Sequence, residues 1–332
     1  MKSLDQYWYS KNPVAILLWP VSLLFYLLVF LRQLFYRFRL FESITVSKPV
    51  IVVGNISVGG TGKTPLIIEL GRLLTSWGYK VGIISRGYGG QGPWPYQLDD
   101  NSTAEVSGDE PLQIFQRTGL PVVVGPDRIA DAQMLIDNNE VDLLLADDGM
   151  QHYRLNRNLE LIVIDAQRQF GNQFMLPAGP LREPVSRLKK SGWPVFNGGN
   201  INGGKNDGDQ GYAFKIEPSI IKNLVSCEEE SISTFQEKSV HAVAGIGNPQ
   251  RFFQMLRDNG FSVIEHAFPD HYVFNEDDLD FGDSLPVLMT EKDSVKCKKF
   301  SNKKLWFVAI DIQLSEPFVS DFKRTVNELV NG

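Results

Sequence analysis

Six consecutive residues of this chain have the types and the order that bind phosphate. They form a glycine-rich turn that consists of Gly59, Gly60, Thr61, Gly62, Lys63 and Thr64. The backbone amides of such a turn converge on phosphate oxygens at the start of the next helix, where the helix dipole favours negative charge. Lys63 is placed to reach the β- and γ-phosphates of a nucleotide, and the Thr64 hydroxyl is placed to ligate Mg²⁺.

The residues around this turn supply the context that a phosphate loop needs. A β-branched run from Val50 to Val53 predicts a buried strand before it, and an apolar-periodic helix begins near Thr64. Ser57 occupies the first glycine position of the strict G-x-x-x-x-G-K-[ST] pattern, so the match is to the variant GGxGK[ST]. A turn without a ligand leaves Gly-Lys-Thr at this place unexplained.

Two carboxylates follow a second apolar strand. The run from Val141 to Asp148 ends in Asp147 and Asp148, just before Gly149. A carboxylate at the end of a hydrophobic strand, downstream of a phosphate loop, is the arrangement that holds Mg²⁺ directly or through water. Either aspartate fits this role, and the alternative is a turn or cap before the glycine.

Three further segments carry polar residues whose roles the residues alone leave open. Arg182 and Glu183 lie in a proline-rich loop, LPAGPLREP. Either the loop is an ordinary exposed one, or Arg182 binds a phosphate and Glu183 ligates a metal. Asp109 precedes a predicted helix and is expected to act as its N-cap. His271 has the pKa range for proton transfer near neutrality, but a histidine in a turn is more often a hydrogen-bonding residue.

Composition limits the classes of partner. The chain has 332 residues and a net charge of -6, which argues against nucleic acid as its main partner because no basic field replaces counterions. The two cysteines, Cys227 and Cys297, have neither zinc-site nor disulfide spacing and fit a reducing cytoplasm.

The N-terminal region predicts a membrane contact. Val14 to Leu31 is eighteen residues without a charge, flanked by aromatic residues and followed by Arg32, Arg37 and Arg39. The bulky residues after this run do not offer a signal-peptidase site. Pro20 lies inside it, so a kinked or shallow helix is as defensible as a full span.

The remaining pattern alternates strands and helices. It predicts an α/β fold of the P-loop NTPase type, with a mostly parallel sheet, helices on both faces and a second, smaller α/β lobe. The asparagine- and glycine-rich segment 197–211 indicates a linker or surface loop. We therefore expect a membrane-associated region at residues 1–45, a P-loop domain at 46–211 and the second lobe at 212–332.

Nine motifs together resemble a known family. In chain order they are VGNISVGGTGKTP, SRGYGG, SGDEP, GPDR, ADDGMQH, LPAGPLREP, AGIGNPQRFF, FPDHYVF and LMTEKDSVK. This set closely resembles the tetraacyldisaccharide 4′-kinases of lipid A biosynthesis, over essentially the whole chain. The resemblance implies transfer of the γ-phosphate of ATP, with Mg²⁺, to the 4′-hydroxyl of a tetraacylated glucosamine disaccharide 1-phosphate. It also implies a location at the cytoplasmic face of the bacterial inner membrane.

The resemblance also assigns residues. It implies that Asp109 is the catalytic base and that His271 is its partner from the second lobe. It places Arg128 and Arg182 at anion-binding positions. The candidate metal ligands are Thr64, Asp147, Asp148 and Glu183.

Two other functions fit part of the sequence. A membrane-anchored ATPase switch of the deviant Walker A type shares the GGTGKT turn, but commonly has a lysine where this chain has Val58, and needs no second lobe that supplies a histidine. A lipid-binding protein with a vestigial site is the third alternative, and the intact Lys63, Thr64 and Asp147 count against it.

Overall fold

The computed structural model describes residues 7–10, 12–189, 192–201, 211–235 and 238–332. Its helices are α1 (Pro13–Arg37), α2 (Lys63–Ser76), α3 (Ala104–Ser107), α4 (Asp109–Thr118), α5 (Arg128–Asn138), α6 (Pro249–Asp258), α7 (Glu291–Cys297) and α8 (Glu316–Asn331), with 3₁₀ turns at Val185–Lys189 and Glu276–Leu279. Its strands are β1 (Val50–Gly54), β2 (Val81–Ser85), β3 (Tyr96–Gln97), β4 (Val122–Val124), β5 (Leu143–Asp147), β6 (Leu159–Asp165), β7 (Trp193–Asn197), β8 (Tyr212–Asn223), β9 (Glu229–Ser231), β10 (Ser239–Ala244), β11 (Ser262–Ala267), β12 (Val287–Thr290) and β13 (Leu305–Leu314).

In the described residues these strands form one mixed sheet, in the order β11-β10-β12-β13-β8-β7-β6-β1-β5-β2-β4-β3, with β9 paired to β8. The six strands from β7 to β4 in this order are parallel to one another. Helices cover both faces, which explains why these strands are apolar throughout rather than alternating. The predicted α/β fold is confirmed.

The sheet contains a parallel half at each end. We call β1 to β7 with their helices the first lobe, and β10 to β13 with α6 and α7 the second lobe. β8 joins the lobes, because it is parallel to β7 and antiparallel to β13. The strands of the second lobe therefore run in the opposite direction. Because β7 pairs with the start of β8, whereas β12 pairs with the part of β13 that lies beside the end of β8, the strand ends of the two lobes face each other.

The β8–β13 ladder is long and has one irregularity. Its register runs from the pair Phe214 and Leu314 to the pair Asn223 and Trp306, with a shift beside Pro218. Proline has no amide hydrogen to donate, so an irregular position is where it fits in a strand.

The C-terminal helix α8 packs against the first lobe, although the sequence predicts a domain boundary between residues 211 and 212. Phe318 and Phe322 of α8 are fully buried in the same core as Leu66 and Leu70 of α2. The C-terminal helix thus returns to the first lobe, while the predicted domain boundaries stay a prediction. Of the predicted linker, residues 202–210 lie outside the described residues, and Asn197 is the last residue of β7.

One face of α1 lies on the first lobe, and its other face is open. Ala15 and Ser22 are buried, and Phe25 and Val29 pack against the core beneath. The helix continues through Pro20. Among the described residues it is the one helix long and apolar enough to cross a membrane, with a mean hydropathy of 2.6 in its most apolar part.

Candidate active site

The phosphate loop connects β1 to α2, as the sequence predicts. Gly62 is the N-cap of α2 and has a φ of 100°, a backbone conformation that favours glycine. A Cβ at this position would lie 2.5 Å from Nδ2 of Asn197. That amide donates to the backbone oxygen of Thr61 at 2.9 Å, and Asn55 Nδ2 donates to the Thr61 hydroxyl at 3.3 Å. Two buried asparagines therefore hold the loop in shape.

The lysine and the glycines of the loop face a cleft. Nζ of Lys63 lies 3.5 Å from Oδ1 of Asn55 and 3.7 Å from Oδ1 of Asp148. Among the described residues, apart from the adjoining ones in the chain, no atom lies within 4 Å of a Cβ placed on Gly59 or Gly60, which is the open space that a phosphate chain needs. Thr64 is half-buried in the first turn of α2.

Asp147 ends β5 as a buried carboxyl with one unpaired oxygen. Its Oδ2 accepts a hydrogen bond from the Ser85 hydroxyl at 2.9 Å, and its buried Oδ1 has no hydrogen-bond partner among the described residues. Burial, and then the charges of Glu110 and Asp148, raise the pKa of Asp147 to about 7. An orphaned oxygen among negative charges fits a bound cation, which would supply the missing partner.

Asp148 has the opposite electrostatic balance. Burial acts to raise its pKa, but the Lys63 and Arg182 charges outweigh it and hold the pKa below its usual value. Arg182 Nη1 lies 3.1 Å from Oδ2 of Asp148. The φ of Asp148 is 45°, a left-handed conformation that aspartate tolerates better than most residues. Arg182 thus reaches the nucleotide cleft through this aspartate.

Glu183 is buried and hydrogen-bonded, so its loop is not an ordinary exposed one. The glutamate is 1% exposed. Its Oε1 accepts from Gln151 at 2.9 Å, and its Oε2 accepts from Gln33 of α1 at 3.0 Å and from Tyr153 at 2.6 Å. Arg187 forms an ion pair with it at 3.3 Å. These contacts connect α1 to the loop next to the cleft.

The predicted metal ligands do not form one complete shell. In the part of the chain that the structure describes, no group of three or more His, Cys, Asp and Glu side chains is arranged to hold a metal ion. Thr64, Asp147, Asp148 and Glu183 stay predicted ligands, and of these Glu183 already has protein partners on both of its carboxylate oxygens.

Arg128 is a brace rather than a free cation. It is 3% exposed, and its Nη1 donates to Gly125 O at 2.6 Å and lies 3.4 Å from Asp131 Oδ2. Its Nη2 donates to Asp147 O at 3.4 Å. The guanidinium therefore ties the end of β4 to the end of β5, and its predicted contact with an anion finds no support in this geometry.

Asp109 and His271 meet across the cleft, although 162 residues separate them in sequence. His271 Nδ1 lies 3.1 Å from Oδ2 of Asp109. The alternative role of Asp109 as a helix cap is wrong, because Gly108 is the N-cap of α4 and Asp109 is its first residue. His271 has a φ of 61° and packs against the Tyr88 ring, with centroids 4.9 Å apart. Strained backbone of this kind persists where surrounding contacts fix it, often at functional sites.

Two lysines on one face of α7 meet the paired acids of α4, and sequence reasoning missed them. Lys292 Nζ lies 2.8 Å from Glu110 Oε1 and 3.2 Å from Asp270 Oδ1. Lys296 Nζ lies 3.6 Å from Asp109 Oδ2. Their spacing of four residues in the TEKDSVK motif, with the spacing of Asp109 and Glu110, was the available signal.

The lysines set the charge of these acids. Burial acts to raise the pKa of Asp109, but its hydrogen bond with His271 and the lysine charges hold that pKa below its usual value. The pKa of Glu110 is also lowered against burial, mainly by Lys292 and Lys63. Both carboxylates are therefore ionised near neutral pH.

The fold and the site define the class of this protein. It is a phosphate-loop α/β protein whose second lobe closes on the phosphate loop. The profile of the tetraacyldisaccharide-1-P 4′-kinase family, LpxK, matches residues 14–327. Relatives named tetraacyldisaccharide 4′-kinase include one from Methylobacillus flagellatus, 46% identical, covering 94% of this chain and 92% of the relative. Another, from Pseudomonas fluorescens, is 46% identical over 97% of this chain and 95% of its own. The chain belongs to the tetraacyldisaccharide 4′-kinase family.

A solved structure has the same fold. It is described as the "apo" form of LpxK from Aquifex aeolicus in complex with ATP, and its TM-score with this chain is 0.80. The likeness covers 96% of this chain and 99% of that one, at 24% sequence identity.

The Asp147 geometry predicts a stability effect that depends on pH. The pKa of about 7 in the folded protein exceeds the ordinary 3.8, so stability is greatest with the carboxyl neutral and is lost as pH rises from about 4 through 7. Asp147→Asn keeps an acceptor for Ser85 and removes the charge. It should stabilise the ligand-free protein by roughly 1–3 kcal/mol at pH 8 and by much less at pH 5.

Unfolding by urea at both pH values, without nucleotide or metal, measures this difference. Asp100→Asn, which changes an exposed carboxyl, is the control and should have no comparable effect. If Asp147→Asn destabilises the protein at pH 8, the folded protein favours the charged form of Asp147, which would contradict this prediction.

Proposed function

We propose that this protein transfers the γ-phosphate of ATP to the 4′-hydroxyl of a tetraacyldisaccharide 1-phosphate. The observation that carries the proposal is the Asp109 carboxylate, held by His271 in a cleft that also contains the phosphate loop. The names of the relatives support the lipid substrate, and the ATP of the solved relative supports the nucleotide.

The proposed reaction needs few groups from the chain. The loop amides and Lys63 hold the triphosphate and balance the charge that develops on it. Asp109 accepts the proton of the sugar hydroxyl. The hydroxyl oxygen bonds to the γ-phosphorus as the bond from that phosphorus to ADP breaks. Mg²⁺, held by Thr64 with Asp147 or Asp148, would neutralise the β- and γ-phosphate oxygens. Arg182, through Asp148, keeps that carboxylate ionised for this task.

The direct test uses detergent-solubilised protein, γ-labelled ATP and a tetraacyl disaccharide 1-phosphate. We expect a labelled bisphosphorylated lipid, and Lys63→Ala should reduce its formation at least about 10³-fold because the site loses a charge in a low-dielectric cleft. Lys215→Ala removes a lysine that is 56% exposed and serves as the control. ATP hydrolysis without labelled lipid would favour the ATPase switch instead.

A second test concerns Asp109 and His271 as one unit. Removing either, by Asp109→Asn or His271→Gln, should lower kcat about 10²- to 10⁴-fold, the usual range for a general base. The double variant should be hardly worse than the worse single variant, since residues that act as a unit are strongly non-additive. The cycle is measured on kcat, with ATP binding and thermal unfolding followed in parallel. Additive losses, or losses that track unfolding, would leave both residues with structural roles.

We also propose that α1 lies in the surface of the inner membrane, on its cytoplasmic side, rather than spanning it. Both ends of the helix contact the first lobe: Trp8, just before it, donates to Pro177 O at 3.0 Å, and Gln33 donates to the Tyr153 hydroxyl at 3.0 Å. A span of about 30 Å of hydrocarbon would carry one end away from the lobe.

The open face of α1 suits a lipid surface. It presents large apolar side chains with high exposure, for example 79% for Leu17 and 57% for Leu24 and Leu28. A patch of this size on a soluble surface marks a membrane or protein contact. Arg32, Arg37 and Arg39 lie at its C-terminal end, where they favour anionic headgroups.

Thiol labelling from either side of the membrane tests this orientation. Cys227 is exposed and marks the side of the globular lobes, whereas Cys297 is buried and should stay unlabelled. In inside-out vesicles, an impermeant maleimide should label both Cys227 and the thiol introduced by Ser10→Cys. In right-side-out vesicles it should label neither. Labelling of the two thiols from opposite sides would demonstrate a full span.

A further inference from the structure

A buried lysine of the second lobe lies against the proposed catalytic base. Nζ of Lys296 is 3.6 Å from Oδ2 of Asp109, and only 6% of the lysine side chain is exposed. An ion pair with Asp293 at 2.8 Å and the face of the Phe274 ring, 5.1 Å from Nζ to its centroid, fix its position. A lysine held in this way has little freedom to move to solvent.

The anchor of this lysine is itself part of the core. Asp293 is fully buried, and its Oδ2 accepts hydrogen bonds from the Thr290 hydroxyl at 2.6 Å and from the Gly245 amide at 2.9 Å. Its Oδ1 is left to Lys296. The second lobe therefore builds a cation and aims it at the first lobe.

Both contacts from the second lobe end on the same oxygen of Asp109. His271 Nδ1 lies 3.1 Å from Oδ2, the oxygen that Lys296 also faces. In the part of the chain that the structure describes, the hydrogen bond between Asp109 and His271 ends on Oδ2, and Oδ2 is also the Asp109 oxygen nearest to Lys296. The other oxygen, Oδ1, forms no side-chain hydrogen bond there.

We propose that Lys296 is a positioning residue of the kinase reaction: with His271 it holds Oδ2 of Asp109, so that Oδ1 takes the proton of the sugar hydroxyl. This inference rests on the proposed function. Lys296 itself touches neither substrate nor reacting atom in this scheme, and acts through the carboxylate.

The arrangement of charges around Asp109 explains why Lys296 has a particular effect on this carboxylate. The neighbouring titratable groups, from every element that packs there, are Glu110, Asp270, His271, Lys292, Asp293 and Lys296. The ammonium of Lys292 is shared between Glu110 and Asp270, whereas Lys296 lies between Asp293 and the base. Hydrogen bonding with His271, and then the Lys296 charge, keep the pKa of Asp109 low despite burial.

The kinetic test compares two changes at one position. Lys296→Gln retains a donor for Asp293 but has no charge, and Lys296→Arg retains the charge. We expect Lys296→Gln to lower kcat about 10- to 100-fold with KM values for ATP and lipid within about 2-fold, because a misplaced base slows only chemistry. Lys296→Arg should recover at least part of the loss. Lys299→Gln changes a lysine that is 64% exposed and should leave kcat unchanged.

A double-mutant cycle separates positioning from a general structural role. In an Asp109→Asn background, Lys296→Gln should cause no further loss of kcat, because the group through which it acts is gone. An equal loss in both backgrounds would overturn the proposal, as would a change in KM alone.

A spectroscopic test needs no turnover. In ¹³C-carboxyl spectra, with the Asp109 signal identified by its loss in Asp109→Asn, the titration midpoint should rise by about one pH unit in Lys296→Gln. In the wild-type protein, the ¹⁵Nζ signal of Lys296 should shift at the Asp109 midpoint, a readout that holds even if the Gln variant unfolds. Independent titrations would refute the coupling, whereas absence of lipid phosphorylation by wild-type protein would refute only the proposed function.

Discussion

The antiparallel pairing of β8 with β13 is the constraint on which the site depends. In a purely parallel sheet all strand ends would lie along one edge, and the loops of a second unit would extend the row rather than face it. Here the direction reverses once, and the two lobes pair with opposite ends of the long β8–β13 ladder, so the strand ends of the second lobe point toward those of the first. The loops after β10, β11 and β12 thereby meet the phosphate loop and the start of α4.

Opposite charges from α4 of the first lobe and α7 of the second lobe meet across the cleft. Asp109 and Glu110 begin α4, where negative charge is favoured by the helix dipole, and Lys292 and Lys296 project from α7. Arg117 at the other end of α4 pairs with Glu291 through two contacts of 2.8 Å. Because these groups are largely shielded from water, their attraction is stronger than that of surface ion pairs. The lobes are therefore held in register by the same residues that set the charge of the proposed base.

Residues at the centre of this cleft lower the stability of the ligand-free protein. Asp147 is buried with an unpaired oxygen, and its neighbours disfavour its charge. Asp148 and His271 have left-handed backbone conformations. Sites of this kind are tolerated because the surrounding sheet and cores fix them, and the cost is recovered when a ligand satisfies them.

The sequence by itself determined the parallel α/β core, the phosphate loop and the acids after β5, because these depend on local runs of residues with a strict spacing. Contacts between distant segments were decided only by the tertiary structure. Glu183 is bonded to Gln33 of α1, Arg128 is an internal brace, and Asn197 supports the loop instead of opening a linker. The spacing of Lys292 and Lys296 on one helix face was the one local signal for Lys296, and it did not identify a partner, since a lysine is ordinarily solvated. Its burial beside Asp109 follows from the reversal of strand direction between the lobes, which no short stretch of sequence encodes.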